Sequence, residues 1–95
     1  MTPEAKVKKE IRTVLDALPG CWYFMPAASV YGRRGVPDFV GLWHGRFFAI
    51  EAKSSVGKTT KLQDREIERI AAAGGVVGVC RSGDDARELM EGLCS

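Results

Sequence analysis

The sequence predicts an α/β domain, an αβββαβ core with a mixed four-stranded sheet flanked by helices, plus a C-terminal helix. Three observations predict it. Apolar residues at helical spacing open the chain; two apolar runs then meet at His44-Gly45, a two-residue turn signal. A second helical stretch separates that hairpin from the short apolar run Val76 to Cys80. A strand, helix and strand connection of this length favours parallel pairing through a right-handed crossover, so the sheet is expected to be mixed.

The first helix takes Thr2 as N-cap and Pro3 as its first residue. It buries Val7, Ile11, Val14, Leu15 and Leu18 and stops at Gly20. Trp22 to Met25 reads as a strand ended by Pro26, and the loop from Ala27 to Gly35 carries Tyr31, Arg33 and Arg34. The hairpin follows, and after it Ser54 to Lys58 form a polar loop. Thr60-Lys61-Leu62-Gln63 has the capping-box pattern, opening a helix that runs to about Ala73 and closes at Gly74-Gly75. Val76 to Cys80 returns as a short buried strand. Ser82 and Asp85 suit the cap of a last helix, which presents Ala86, Leu89, Met90 and Leu93 on one stripe.

Chemistry concentrates in the hairpin, Pro37 to Lys53. With His44-Gly45 as the turn, Trp43 faces Arg46, Leu42 faces Phe47, and counting outward Asp38 falls opposite Glu51. Directly opposed residues have Cβ atoms about 4.5 to 5.5 Å apart, and like charges placed there repel. Side chains alternate along a strand, so Lys53 shares the face of Glu51. The pair is relieved either by a divalent cation such as Mg²⁺, which suits hard oxygen ligands, or by Lys53 alone in a surface ion pair. Phe39, Val40, Leu42, Phe47, Phe48 and Ile50 mark both strands as largely buried, which favours the metal.

Other residues carry two readings each. Glu4 falls near the centre of the first helix's apolar stripe, with Glu10 toward its edge; Glu4 either complements the helix dipole or reaches into the acid site. Gln63 caps its helix or extends a polar hand toward the scissile phosphate. Arg33, Arg34, Lys58 and Lys61 bracket the acids in sequence and could hold phosphates, while the loop bearing Tyr31 and the two arginines is either a solvated connection or a DNA contact.

Composition bounds the rest. The chain has 95 residues, enough for one small domain, and a net charge of +2, which permits nucleic-acid binding without demanding it. Cys21, Cys80 and Cys94 show neither CxxC pairing nor a His partner at metal spacing, which argues against zinc and a disulfide framework and fits a reducing cytosol. Cys80 reads as a buried small hydrophobe. No stretch approaches the ~20 apolar residues of a membrane span, and the amino terminus reads as a helix rather than a signal peptide, so a soluble cytoplasmic protein is expected. Gly57-Lys58-Thr59 looks like the end of a P-loop, but the glycine required five positions earlier is Ala52, inside a strand. His44 reads as a solvated turn residue.

Pro37-Asp38 followed by Glu51-Ala52-Lys53 resembles the catalytic signature of the PD-(D/E)xK nucleases. GRRGVPD, GRFFAIEAK, LQ at a helix start and AAGGVVGV are more closely similar to the VRR-NUC family, particularly its small stand-alone phage and bacterial members. The likeness covers nearly the whole chain. It implies a restriction-endonuclease-like fold and a phosphodiesterase in which Asp38, Glu51 and the Ala52 carbonyl hold Mg²⁺ or Mn²⁺. Glu4 and Gln63 match an acid on the first helix and a glutamine after ExK, which tips both toward the site. Lys53 would orient the attacking water or stabilise transition-state charge, and between carboxylates an ammonium suits the second role better. Stand-alone members resemble Holliday-junction resolvases, which implies branched or four-way DNA as partner and a homodimer. The rival expectation is a noncatalytic nucleic-acid-binding module.

Overall fold

The computed structural model describes residues 1–27 and 32–94. Its elements follow the expected order: α1 (Pro3–Asp16), β1 (Trp22–Phe24), β2 (Phe39–Trp43), β3 (Arg46–Ala52), α2 (Lys61–Ala72), β4 (Val76–Cys80) and α3 (Gly83–Glu91), with a 3-10 turn at Gly92–Cys94. The four strands form one sheet in the order β1-β2-β3-β4. β1, β2 and β3 are antiparallel, and β4 joins β3 in parallel. The sheet is mixed, as the length of the α2 connection dictates.

Local chemistry explains the boundaries. Thr2 caps α1 by accepting from the Ala5 N–H, with Pro3 at the first turn. Thr60 and Gln63 form the complete capping box of α2, and Ser82 accepts from the Asp85 N–H at the start of α3. His44 and Gly45 both have positive φ (52° and 72°), as a two-residue hairpin turn of the favoured twist requires. The register follows: Trp43 pairs with Arg46, Leu42 with Phe47 and Phe39 with Ile50.

Alternation then sorts the side chains. Phe39, Trp43, Phe48, Ile50 and Ala52 turn toward α1 and α3 and build the core with Val7, Ile11, Leu15, Met90 and Leu93. Cys80 is in that core, where burial, then Asp85, pushes its thiol up to about 12. The expectation that both hairpin strands are largely buried is corrected on the opposite face, where Leu42 and Phe47 are exposed. α2 lies on that face but packs mainly along β4, and Trp22, Phe24, Leu42 and Phe47 stay exposed there. Two further differences are small. β1 stops at Phe24, and Leu18 is only half-buried. No helix among the described residues is long and apolar enough to cross a membrane.

Candidate functional site

Hairpin register brings the acids together. The ladder ends at Phe39↔Ile50, so the next step outward aligns Asp38 with Glu51. Instead of continuing the ladder by backbone, Asp38 accepts the Ala52 N–H on Oδ2 at 2.9 Å, which pins its carboxylate beside β3. Glu51 is 2 % exposed and Lys53 8 %. Lys53 Nζ stands 3.4 Å from Glu51 Oε2 and 4.0 Å from Glu4 Oε1. Glu51 Oε1, by contrast, is buried with no hydrogen-bond partner.

Burial, then the negative charge of Asp38, pushes the Glu51 carboxyl from its ordinary 4.5 up to about 7, although Lys53 pulls the other way. Residues outside the hairpin complete the ring. Gln63 does both things its sequence position allows: its Oε1 accepts the Thr60 N–H in the capping box while its Nε2 donates to Glu51 Oε2 at 3.1 Å. The cap fixes the glutamine's rotamer and so aims its amide at the acid. Glu4 sits at the rim, between Lys53 and Lys8, rather than against the two hairpin acids. Among the described residues no three His, Cys, Asp or Glu side chains converge as a metal-holding group.

Three residues escaped the sequence reading, Lys8, Glu66 and, behind the site, Arg81. Lys8, one helical turn after Glu4, places Nζ 3.6 Å from Asp38 Oδ1 and 3.6 Å from Glu4 Oε2. Glu66, one turn after Gln63, is buried and grips Arg33 through both carboxylate oxygens, with Arg69 at 3.8 Å. Gly35 lies against the same helix at positive φ, where a Cβ would come 2.4 Å from the Leu62 carbonyl oxygen. Loop residues 32–37 are therefore latched to α2 just before Asp38. Glu66→Ala should lower stability by about 1 to 2 kcal/mol, since it leaves Arg33 and Arg69 without their acceptor. A denaturant midpoint unchanged from wild type would show that the latch contributes nothing.

Arg33 is thus committed to Glu66, whereas Arg34, Lys58 and Lys61 are exposed and make no ion pair among the described residues. Tyr31 lies outside the described residues. An open cleft of about 850 Å³ reaches Asp38 and Gln63, with Phe24, Arg33, Arg34 and Val40 also in its lining. Behind the site Arg81 donates to the Ser54 and Gly57 carbonyls at 2.6 and 2.7 Å, holding the loop that follows Lys53.

A mixed sheet carrying a facing acid pair and a lysine at this point of the hairpin defines a nuclease-type fold of the restriction-endonuclease-like class. A family model of the VRR-NUC domain matches residues 7–84. A solved structure described as a VRR-NUC domain superposes with a TM-score of 0.77 at 31 % identity, covering 96 % of this chain and 97 % of that one. The chain belongs to the VRR-NUC domain family. That membership implies nuclease activity in general and DNA binding. No curated protein matches the chain.

Proposed function

We propose that the chain is a metal-dependent, structure-specific DNA endonuclease that hydrolyses phosphodiester bonds, acting as a Holliday-junction-resolvase-like homodimer on branched or four-way DNA. The observation that carries this reading is Glu51: a buried acid facing Asp38, with one oxygen left without a partner. An orphaned buried carboxylate oxygen is costly, and a hard divalent cation is the ligand that suits it.

Asp38, Glu51 and the Ala52 carbonyl would hold Mg²⁺ or Mn²⁺, with Glu4 at the rim. A divalent cation bound there supplies Lewis acidity toward a phosphoryl oxygen and lowers the pKa of water. The chain's own groups do the remainder. The Ala52 N–H fixes Asp38, and Gln63 fixes Glu51, so neither carboxylate has to reorganise when DNA arrives. Lys53 places a positive charge beside Glu51 where the phosphorane's charge develops. Arg34, Lys58 and Lys61 are the cations available to the DNA backbone. With no base-reading motif in the sequence, recognition rests on shape and phosphates, and binding should fall steeply with salt.

The deciding experiment is cleavage of labelled four-way junction, flap and linear duplex DNA with Mg²⁺, Mn²⁺ or EDTA. Paired symmetric nicks near the junction, lost in EDTA, are expected. One observation favours the rival, a noncatalytic binding module: the Lys8 ammonium already stands on Asp38. Such a module would shift DNA in a gel without metal and never cut it.

A further inference from the structure

Lys8 is the charged group at the acid site to which the proposed chemistry gives no task. It sits on α1 one turn after Glu4, with Nζ 3.6 Å from Asp38 Oδ1 and 3.6 Å from Glu4 Oε2. The choice of oxygen matters. Asp38 Oδ2 already accepts the Ala52 N–H, so Oδ1 is the oxygen left to face a cation, and the Lys8 ammonium stands on it. Across the hairpin, Glu51 Oε1 is the buried oxygen without a partner. Of the two oxygens open to a metal, one is orphaned and the other is covered. We propose that Lys8 is the internal counter-ion of Asp38, holding Oδ1 in the metal-free chain and yielding it to a divalent cation, a role that rests on the metal-dependent reading of this site. Lys8 then sets the metal concentration at which the site fills.

Charge requires the exchange. Asp38, Glu51 and Glu4 carry three negative charges, and Lys8 and Lys53 return two positive ones. A divalent ion arriving at Oδ1 meets an ammonium already in contact with that oxygen, and one of the two cations must leave. Exposure decides which lysine moves. The Lys53 side chain is 10 % exposed and stands 3.4 Å from Glu51, whereas that of Lys8 is 32 % exposed and both its contacts are longer than a hydrogen bond. Lys8 also has somewhere to go. Glu4 precedes it by one helical turn, the favourable order for an acid and a base on one helix, so the ammonium falls back on α1 without losing every partner.

The size of the effect follows from the weakness of such pairs. A partly exposed ion pair leaves Oδ1 open in a minority of chains, and the apparent metal affinity is cut by that open fraction. The parked ammonium, still close by, repels the ion a little further.

The test is calorimetric Mn²⁺ titration of the full chain without DNA, at one pH and one ionic strength, for wild type, Lys8→Met, Lys8→Gln and Lys8→Arg, with circular dichroism to confirm folding. Lys8→Met keeps the apolar stem without the charge and should bind Mn²⁺ about three- to tenfold more tightly than wild type. Lys8→Arg restores the charge and should return the affinity to the wild-type value. In cleavage of four-way junction DNA, Lys8→Met should reach half its own maximal rate at a correspondingly lower Mg²⁺ concentration, a shift that a merely structural lysine would not produce. Should the methionine disturb the fold, Lys8→Gln decides the matter. Unchanged or weaker Mn²⁺ affinity in the neutral variant that folds overturns the counter-ion role, and cleavage that persists beside it leaves the nuclease reading standing. Tighter Mn²⁺ binding with no cutting of any DNA keeps the counter-ion role and removes the nuclease reading. Mn²⁺ binding found only once the charge is gone also supports the counter-ion role, with a lysine that never lets go, and favours the noncatalytic module. No Mn²⁺ binding in any of the four proteins overturns the counter-ion role and the metal site together.

Discussion

Lys53→Ala is expected to lower the cleavage rate about 10² to 10³-fold, the range for removing one preorganised charge-stabilising donor. Lys53 is almost completely buried, and its ammonium is held by Glu51 at 3.4 Å with Glu4 farther off at 4.0 Å. Such a group has already given up its water and its rotamer freedom, so it reorganises little as charge builds on the phosphorane. Its positive charge also opposes the upward push on the Glu51 carboxyl. Removing it should let the Glu51 carboxyl rise further, so that metal affinity holds close to wild type only at a pH high enough to ionise both acids, while DNA binding, carried by exposed cations, stays close to wild type. Single-turnover cleavage set beside calorimetric Mn²⁺ titration separates the two effects. If cleavage persists near the wild-type rate, the transition-state role fails; if metal binding collapses together with cleavage, Lys53 organises the acids instead.

Much of this site could be read from the hairpin because two rules determine it. The two-residue turn sets the register, and strand alternation sets the face, so the opposition of Asp38 and Glu51 needed no tertiary knowledge. Gln63 was harder, since a complete capping box explained it without any site. The structure removes the competition, because a glutamine has two ends and uses one for each partner.

What went unread divides by cause. Lys8 follows Glu4 by one turn on the same helix, and Glu66 follows Gln63 by three residues, so the periodicity that singled out their neighbours would have found both. Arg81 carries no such local signal, for its carbonyl partners Ser54 and Gly57 come near only when β4 docks on β3. Leu42 and Phe47 were misread for a different reason. Apolar alternation says which face a residue occupies but nothing about what covers that face, and α2 lies mainly over β4.

Glu51→Gln should stabilise the metal-free protein while abolishing metal binding and cleavage. The folded state raises the Glu51 carboxyl from 4.5 to about 7, so the protonated acid is the form that the fold prefers. Stability from that preference is fully present below pH 4.5 and is lost as pH rises to about 7, beyond which the ionised acid costs about 3 kcal/mol. Glutamine is neutral at every pH and can still accept from Gln63. That cost of the ionised acid is already net of the Lys53 ion pair, and the buried amide N–H₂ that replaces the partnerless oxygen takes back part of the gain, leaving roughly 1 to 2 kcal/mol, or about 5 to 10 °C in melting temperature for a domain of this size. Melting curves at pH 5 and pH 8 test the sign: the variant's advantage should appear at pH 8 and shrink at pH 5. Added Mg²⁺ should raise the wild-type melting temperature and leave the variant's unchanged, because a ligand stabilises only the state that binds it. A variant less stable than wild type at pH 8 would mean that the buried charge is well compensated without metal. The orphaned Glu51 oxygen would then be no sign of a missing cation, and the observation on which the proposed function rests would be gone.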